Sequence, residues 1–360
     1  MQAAAIIDEK AMLKFANEVV AQQKSLFHTK VNDPELHCLL HDQSEFDGYD
    51  ATTTSLLLQE LTATCLTRMG EDPLSKFETK VAFVDGFYPV AKYSPKFDII
   101  VFSKPLLHSL EFLVAQAAFT NLSQKIRKRL IEKKEDPHNL VQLIDTTKNA
   151  IYSLVQARLI LHSRLGRPLP KFAELLPKAY RPFLKQQLEL CLSFILLHEQ
   201  AHREFYKGKA IEALNINLDQ VVLETLSQKK REEFAADHWA IKQVIPGSRV
   251  PLMKAGVFFF FNIWSFDYLQ YEQRNDHPAS FNRIQALVNS FPKLKAKDAA
   301  FFTIFANDLD RQHNFMQKLH QKTARERGGS LLRYCEQLAD FDLFEDLVSA
   351  LSQTYDELHA

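Results

Sequence analysis

His198 and His202 stand four residues apart in the run Leu197-His198-Glu199-Gln200-Ala201-His202. On an α-helix that spacing puts both imidazoles on one face, where two ring nitrogens can meet one metal ion. Glu199 follows on the same turn, offset from the pair and within reach of a water held by that ion. Two nitrogen ligands, a carboxylate base and an open coordination position are what zinc-assisted hydrolysis requires. The preceding stretch, Leu188 to Leu197, is apolar on nearly every face, so this helix is expected to be buried. Polar side chains on a buried helix need partners. A metal would supply one.

A third ligand is available about thirty residues on, in Arg231-Glu232-Glu233-Phe234-Ala235-Ala236-Asp237. Glu233 and Asp237 again stand at i and i+4, so on a helix both carboxylates face one way, and Ala236 permits close helix packing. Glu233 can ligate the metal. Asp237 can accept the second ring N–H of a ligand histidine and fix its tautomer. Glu232 competes for the ligand role, but its i+4 partner is Ala236 and the paired carboxylates are lost.

His-Glu-x-x-His followed by Glu-x-x-Ala-Asp resembles the gluzincin metallopeptidases, above all the HtpX and CAAX-prenyl-protease type. Members of that type carry a later His-Pro and Arg-Ile, matched here by His277-Pro278-Ala279-Ser280-Phe281-Asn282-Arg283-Ile284. The resemblance implies a zincin-like catalytic domain that cuts peptide bonds. It gives His277 the stabilisation of the oxyanion and Arg283 a supporting role, substrate-side or structural. The HtpX type embeds these motifs among transmembrane helices, whereas the most apolar run here, Ala255 to Phe266, is far short of the roughly 18 to 20 residues a span requires. In that respect the chain is more similar to the Lit-type phage-exclusion peptidases, over roughly residues 95–290.

The elements that must position these residues can be read in outline. Helical spacing of apolar residues covers about 1–30, 51–69, 106–130 and 139–165, and a metal helix is expected from Pro182 to Tyr206 with Gly208 as its stop. Val81 to Val84 and Phe97 to Ser103 read as strands. The latter is an edge that could take an extended peptide by strand addition near Ile99. Residues 294–360 read as two or three amphipathic helices split at Gly328-Gly329.

These readings give a predominantly helical α+β fold: one continuous domain with a catalytic core over about 75–292, a small antiparallel sheet, and helical additions at 1–74 and 293–360. Lys plus Arg equals Asp plus Glu at 44 each, which leaves no charge surplus to attract nucleic acid or a membrane surface. The basic run from Lys125 to Lys134 carries interleaved Ile126, Leu130 and Ile131 and reads as a solvated helix end. No signal peptide is apparent, and Cys38, Cys65, Cys191 and Cys335 fall outside metal-type pairs, so a cytoplasmic protein is expected. His37 and His41 flank Cys38 at i and i+4 but lack a nearby third ligand or base; His162, His238, His313 and His320 gain no role from spacing.

The expected function is a zinc-dependent endopeptidase with protein or peptide substrates. Its metal would be held by His198, His202 and Glu233, with Glu199 as base, and a phage-defence or toxin-like role is the natural extension. The alternatives are a catalytically silent zincin-fold binding protein with a structural metal, and a housekeeping protease of misfolded chains.

Overall fold

A computed structural model describes residues 80–84, 89, 91–95, 98–133, 159, 169, 176–208, 227–244, 246–270, 277–291, 294–307, 309 and 353. The helices expected over 1–30 and 51–69, nearly all of 139–165, the His37-Cys38-His41 group and the C-terminal helices beyond 309 lie outside these residues. The described residues are mostly helical. In chain order they form β1 (Lys80–Val84), β2 (Ala91–Ser94), β3 (Ile99–Ser103), α1 (Lys104–Lys133), a 3-10 turn (Lys178–Tyr180), α2 (Arg181–Tyr206), α3 (Gln228–Lys242), α4 (Pro246–Gln270) and α5 (Ser280–Ser290).

The three strands make a sheet in the order β1-β3-β2. It is mixed, not antiparallel: β2 runs antiparallel to β3, and β1 runs parallel to it. The cause is connectivity. The short turn between β2 and β3 forces those two to oppose each other, and the chain has already reversed once between β1 and β2. When β1 docks on the far side of β3, it therefore points the same way. Ile99 thus lies on the central strand with a partner on each side, so among the described residues the edges of the sheet are β1 and β2, not β3. Strand β2 escapes a pattern search because Ala91-Lys92-Tyr93-Ser94 is only four residues long and abuts Pro95. The second expected strand begins at Ile99, not Phe97, because Asp98 takes a left-handed backbone conformation with φ of 48°.

The chain divides into two compact units, Met1–Leu107 with Glu189–Phe315, and His108–Leu188 with Met316–Ala360. The second unit contains most of α1, where Leu110, Leu113, Leu122 and Ile126 are buried, and Tyr180, whose ring lies beneath Lys125 with Nζ 5.1 Å from its centroid.

The first unit contains the sheet and the motif-bearing helices. Within α2, Leu190 to Leu197 are buried without a break. The helix stops at Gly208, whose φ of 90° suits a glycine after a helix C-terminus. Helix α4 approaches α2 closely through two adjacent small residues, Ala255 and Gly256. The Cys191 thiol donates to the Ala255 carbonyl at 3.3 Å, and a Cβ on Gly256 would sit 3.1 Å from the Phe194 ring. Burial pushes the Cys191 thiol up well beyond its usual range. Helices α3, α4 and α5 pack against one another, and the Ser280 hydroxyl at the start of α5 donates to the Phe260 carbonyl of α4 at 3.1 Å.

His238 on α3 is buried, and its ring stacks on Phe291 at 5.2 Å. Neither ring nitrogen has a hydrogen-bond partner among the described residues. Burial, aided by Lys242 and Arg249, lowers its pKa to about 4. The folded value lies below the unfolded one of about 6.5, so the stabilisation from keeping this ring neutral is full above that value and is lost as pH falls toward 4. His238→Phe should therefore lose about 2 kcal/mol less stability than wild type between pH 7.5 and pH 5, measured by urea unfolding.

Candidate metal centre

Helix α2 presents His198 and His202 on one face, as their spacing requires. Their Nε2 atoms lie 3.1 Å apart. Helix α3 brings Glu233 across from them, with Oε2 3.4 Å from His198 Nε2 and Oε1 3.4 Å from His202 Nε2. His198, His202 and Glu233 form a group able to hold a metal ion. Tetrahedral ligation with bonds of about 2.0–2.1 Å places neighbouring ligand atoms about 3.3–3.4 Å apart, close to these separations. The donor set, two imidazole nitrogens and one carboxylate, is one that zinc accepts. Glu232 is directed elsewhere and accepts a hydrogen bond from Gln228 Nε2 at 3.0 Å.

The surrounding groups hold these donors. His198 Nδ1 lies 3.0 Å from Asp237 Oδ1, in a contact that falls short of good hydrogen-bond alignment but turns Nε2 toward the cluster. Arg283, from α5, is fully buried and grips Asp237 with two hydrogen bonds of 2.7 Å, while its Nη1 lies 3.3 Å from Glu233 Oε2. Its guanidinium also stacks over the Phe260 ring, 5.0 Å from the centroid. His277 Nδ1 sits 3.3 Å from Glu233 Oε1, with 45% of its side chain exposed. The cluster is thus closed on the Arg283 side and open to solvent on the side of His277 and His202.

The electrostatics follow from burial opposed by counter-charges. Burial alone would raise the Glu233 pKa, but His198, His202, His277 and Arg283 together hold it well below the usual carboxylate range. Asp237 is likewise lowered against its burial, chiefly by Arg283. Burial would lower His198, yet contacts with Asp237 and Glu233 outweigh it and push the value up to about 9. Protons and a metal therefore compete for this ring.

Glu199 is buried, and its Oε2 accepts a 2.7 Å hydrogen bond from the backbone N–H of Tyr93 on β2. No local pattern encodes that contact, which joins residues 106 apart. The same holds for the neighbouring ion pair, in which Arg203 Nε and Nη2 donate to Asp98 at 2.6 and 2.8 Å. The Tyr93 hydroxyl donates to the same carboxylate at 3.0 Å, and burial together with that bond pushes the phenol up to about 12. Arg203 drives the Asp98 carboxyl far below its usual range. A signal existed in the buried polar sequence itself: Arg203 follows His202 on a helix whose preceding two turns are buried.

Arg283 brings a permanent charge into direct contact with both buried carboxylates. Arg283→Ala leaves two buried anions with no guanidinium and should cost about 3–5 kcal/mol in urea unfolding of the metal-free protein. Arg283→Lys should recover only part of that, because a lysine cannot reproduce the two-pronged contact.

The Peptidase U49 family model matches residues 107–305, more than half of the chain and a span that includes the His198, Glu233 and His277 motifs. No curated protein and no solved structure matches the chain. With the match extending over both the metal-competent group and the helices that build it, the chain belongs to the Peptidase U49 family.

Proposed function

We propose that this peptidase is a zinc-dependent endopeptidase with a zincin-like core. The observation that carries this reading is the triangle of His198, His202 and Glu233 donor atoms beside a buried Glu199. His198, His202 and Glu233 would hold the zinc ion, which when bound would supply a Lewis acid for the scissile carbonyl and ease the ionisation of water. Glu199 takes the proton of the attacking water and returns it to the leaving amine. The Tyr93 N–H occupies one oxygen of that carboxylate and leaves the other for the proton. His277, on the exposed side of the cluster, donates to the oxygen that gains charge as the carbonyl is attacked. Asp237 and Arg283 position ligands and do not touch substrate: Asp237 orients His198, and Arg283 holds both carboxylates.

Family membership supports a protein substrate. No helix among the described residues is long and apolar enough to cross a membrane. The resemblance to phage-exclusion peptidases favours one defined cut in a target protein over broad digestion. Incubation with a cell lysate separates the two: a single new fragment supports a defence-type protease, and general degradation of casein supports housekeeping.

Elemental analysis of the purified full chain should find about one zinc per molecule, absent from the His198→Ala/His202→Ala double variant. Glu199→Gln should keep the zinc and the fold while proteolysis falls by about 10²- to 10⁴-fold. Unchanged activity in Glu199→Gln would overturn the assignment of the base, and zinc absent from both proteins would overturn the metal site.

A further inference from the structure

We propose that Asp98 and Arg203 are positioning residues, an ion-pair clamp that fastens the β2–β3 turn to helix α2 and thereby sets the Tyr93 amide against Glu199. The inference rests on the reading of Glu199 as the base. Four observations converge on it. The Arg203 guanidinium meets the Asp98 carboxylate through two bonds of 2.6 and 2.8 Å, the two-pronged geometry that fixes orientation as well as distance. Arg203 is buried although it carries a full charge. Asp98 holds a left-handed backbone, φ 48°, which aspartate tolerates better than most residues but which still favours glycine. The same carboxylate accepts the Tyr93 hydroxyl at 3.0 Å, so the residue whose N–H holds Glu199 is tied at its other end to the clamp.

The strand needs such a fastening. Strand β2 has four residues and one strand neighbour among the described residues, so its pairing alone holds it weakly. Its register along α2 is set by a group at each end of Tyr93: the amide on Glu199 and the phenol on Asp98, which Arg203 holds one helical turn further along α2. Lys207 Nζ, 3.5 Å from Asp98, extends the same contact by another turn. Loss of the clamp lets β2 drift and the Glu199 carboxylate rotate. A displacement of about 1 Å at a catalytic group costs on the order of a hundredfold in rate.

The test separates clamp from backbone. Asp98→Gly relieves the left-handed residue and deletes the carboxylate, whereas Asp98→Asn keeps a tolerated backbone and an acceptor for Arg203 and Tyr93. Both are compared with wild type and Glu199→Gln as zinc-loaded full-length chains, with fluorescein-labelled casein as probe and hydrogen exchange of the Tyr93 amide as a second reading. The clamp predicts a ten- to hundredfold fall in kcat for Asp98→Gly with KM within threefold and zinc content unchanged. It also predicts at least tenfold faster exchange at Tyr93, with Asp98→Asn intermediate in both. Wild-type kcat in Asp98→Gly beside an inactive Glu199→Gln overturns the clamp and leaves the base in place. Activity retained in Glu199→Gln overturns the base and the clamp's role together. If casein is not cut at all, exchange decides: unchanged protection of Tyr93 in Asp98→Gly overturns the proposal.

Discussion

Two carboxylates and one guanidinium, all buried, set the terms for the rest of this structure. Glu233 and Asp237 leave water on the same face of α3, and only a fixed opposing charge makes that tolerable. Arg283 provides it from α5, with two bonds to one carboxylate and a contact to the other. The requirement reaches outward. Helix α5 must start where Arg283 can extend inward, which Ser280 secures by bonding to α4, and α4 must lie close to α2, which Ala255 and Gly256 permit. Small residues and one serine thus set how closely α4 meets α2 and α5.

The compensation is asymmetric. Arg283 neutralises the deep side of the cluster and His277 stands on the shallow side. Among the described residues around Glu233, the exposed ones are the histidines, His277 at 45% and His202 at 22% of their side chains.

What could be read in the sequence was what repeats locally. The i,i+4 pairs His198/His202 and Glu233/Asp237 are faces of single helices, and Gly208 is a helix stop whose chemistry is its own. Helix α2 therefore falls within a residue or so of its expected span, Pro182 to Tyr206, and α3 contains the Glu233/Asp237 pair. The misreadings share a different cause. Strand β2 carries four residues and no alternation long enough to register, and the left-handed turn at Asp98 is invisible in a run of β-forming residues. Arg203 reads as an ordinary cation near a helix C-terminus until the fold brings Asp98 to it from 105 residues away. The parallel pairing of β1 depends on the number of chain reversals, which no local pattern encodes. Family likeness stops short of this region as well: the matched segment begins at residue 107, after β3. The residues that meet Glu199 from the sheet thus come from outside it.

Cys191 offers a window on the metal helix. Its thiol lies wholly within the protein, bonded to the Ala255 carbonyl, seven residues before His198 on the same helix. An alkylating reagent reacts with thiolate and needs access to it, and burial denies both. Modification of Cys191 must wait until α2 and α4 part. Its labelling rate, followed peptide by peptide in a mass spectrometer, is therefore a stopwatch for the separation of those helices, and a metal bridging α2 to α3 would be felt in it as a slower tick.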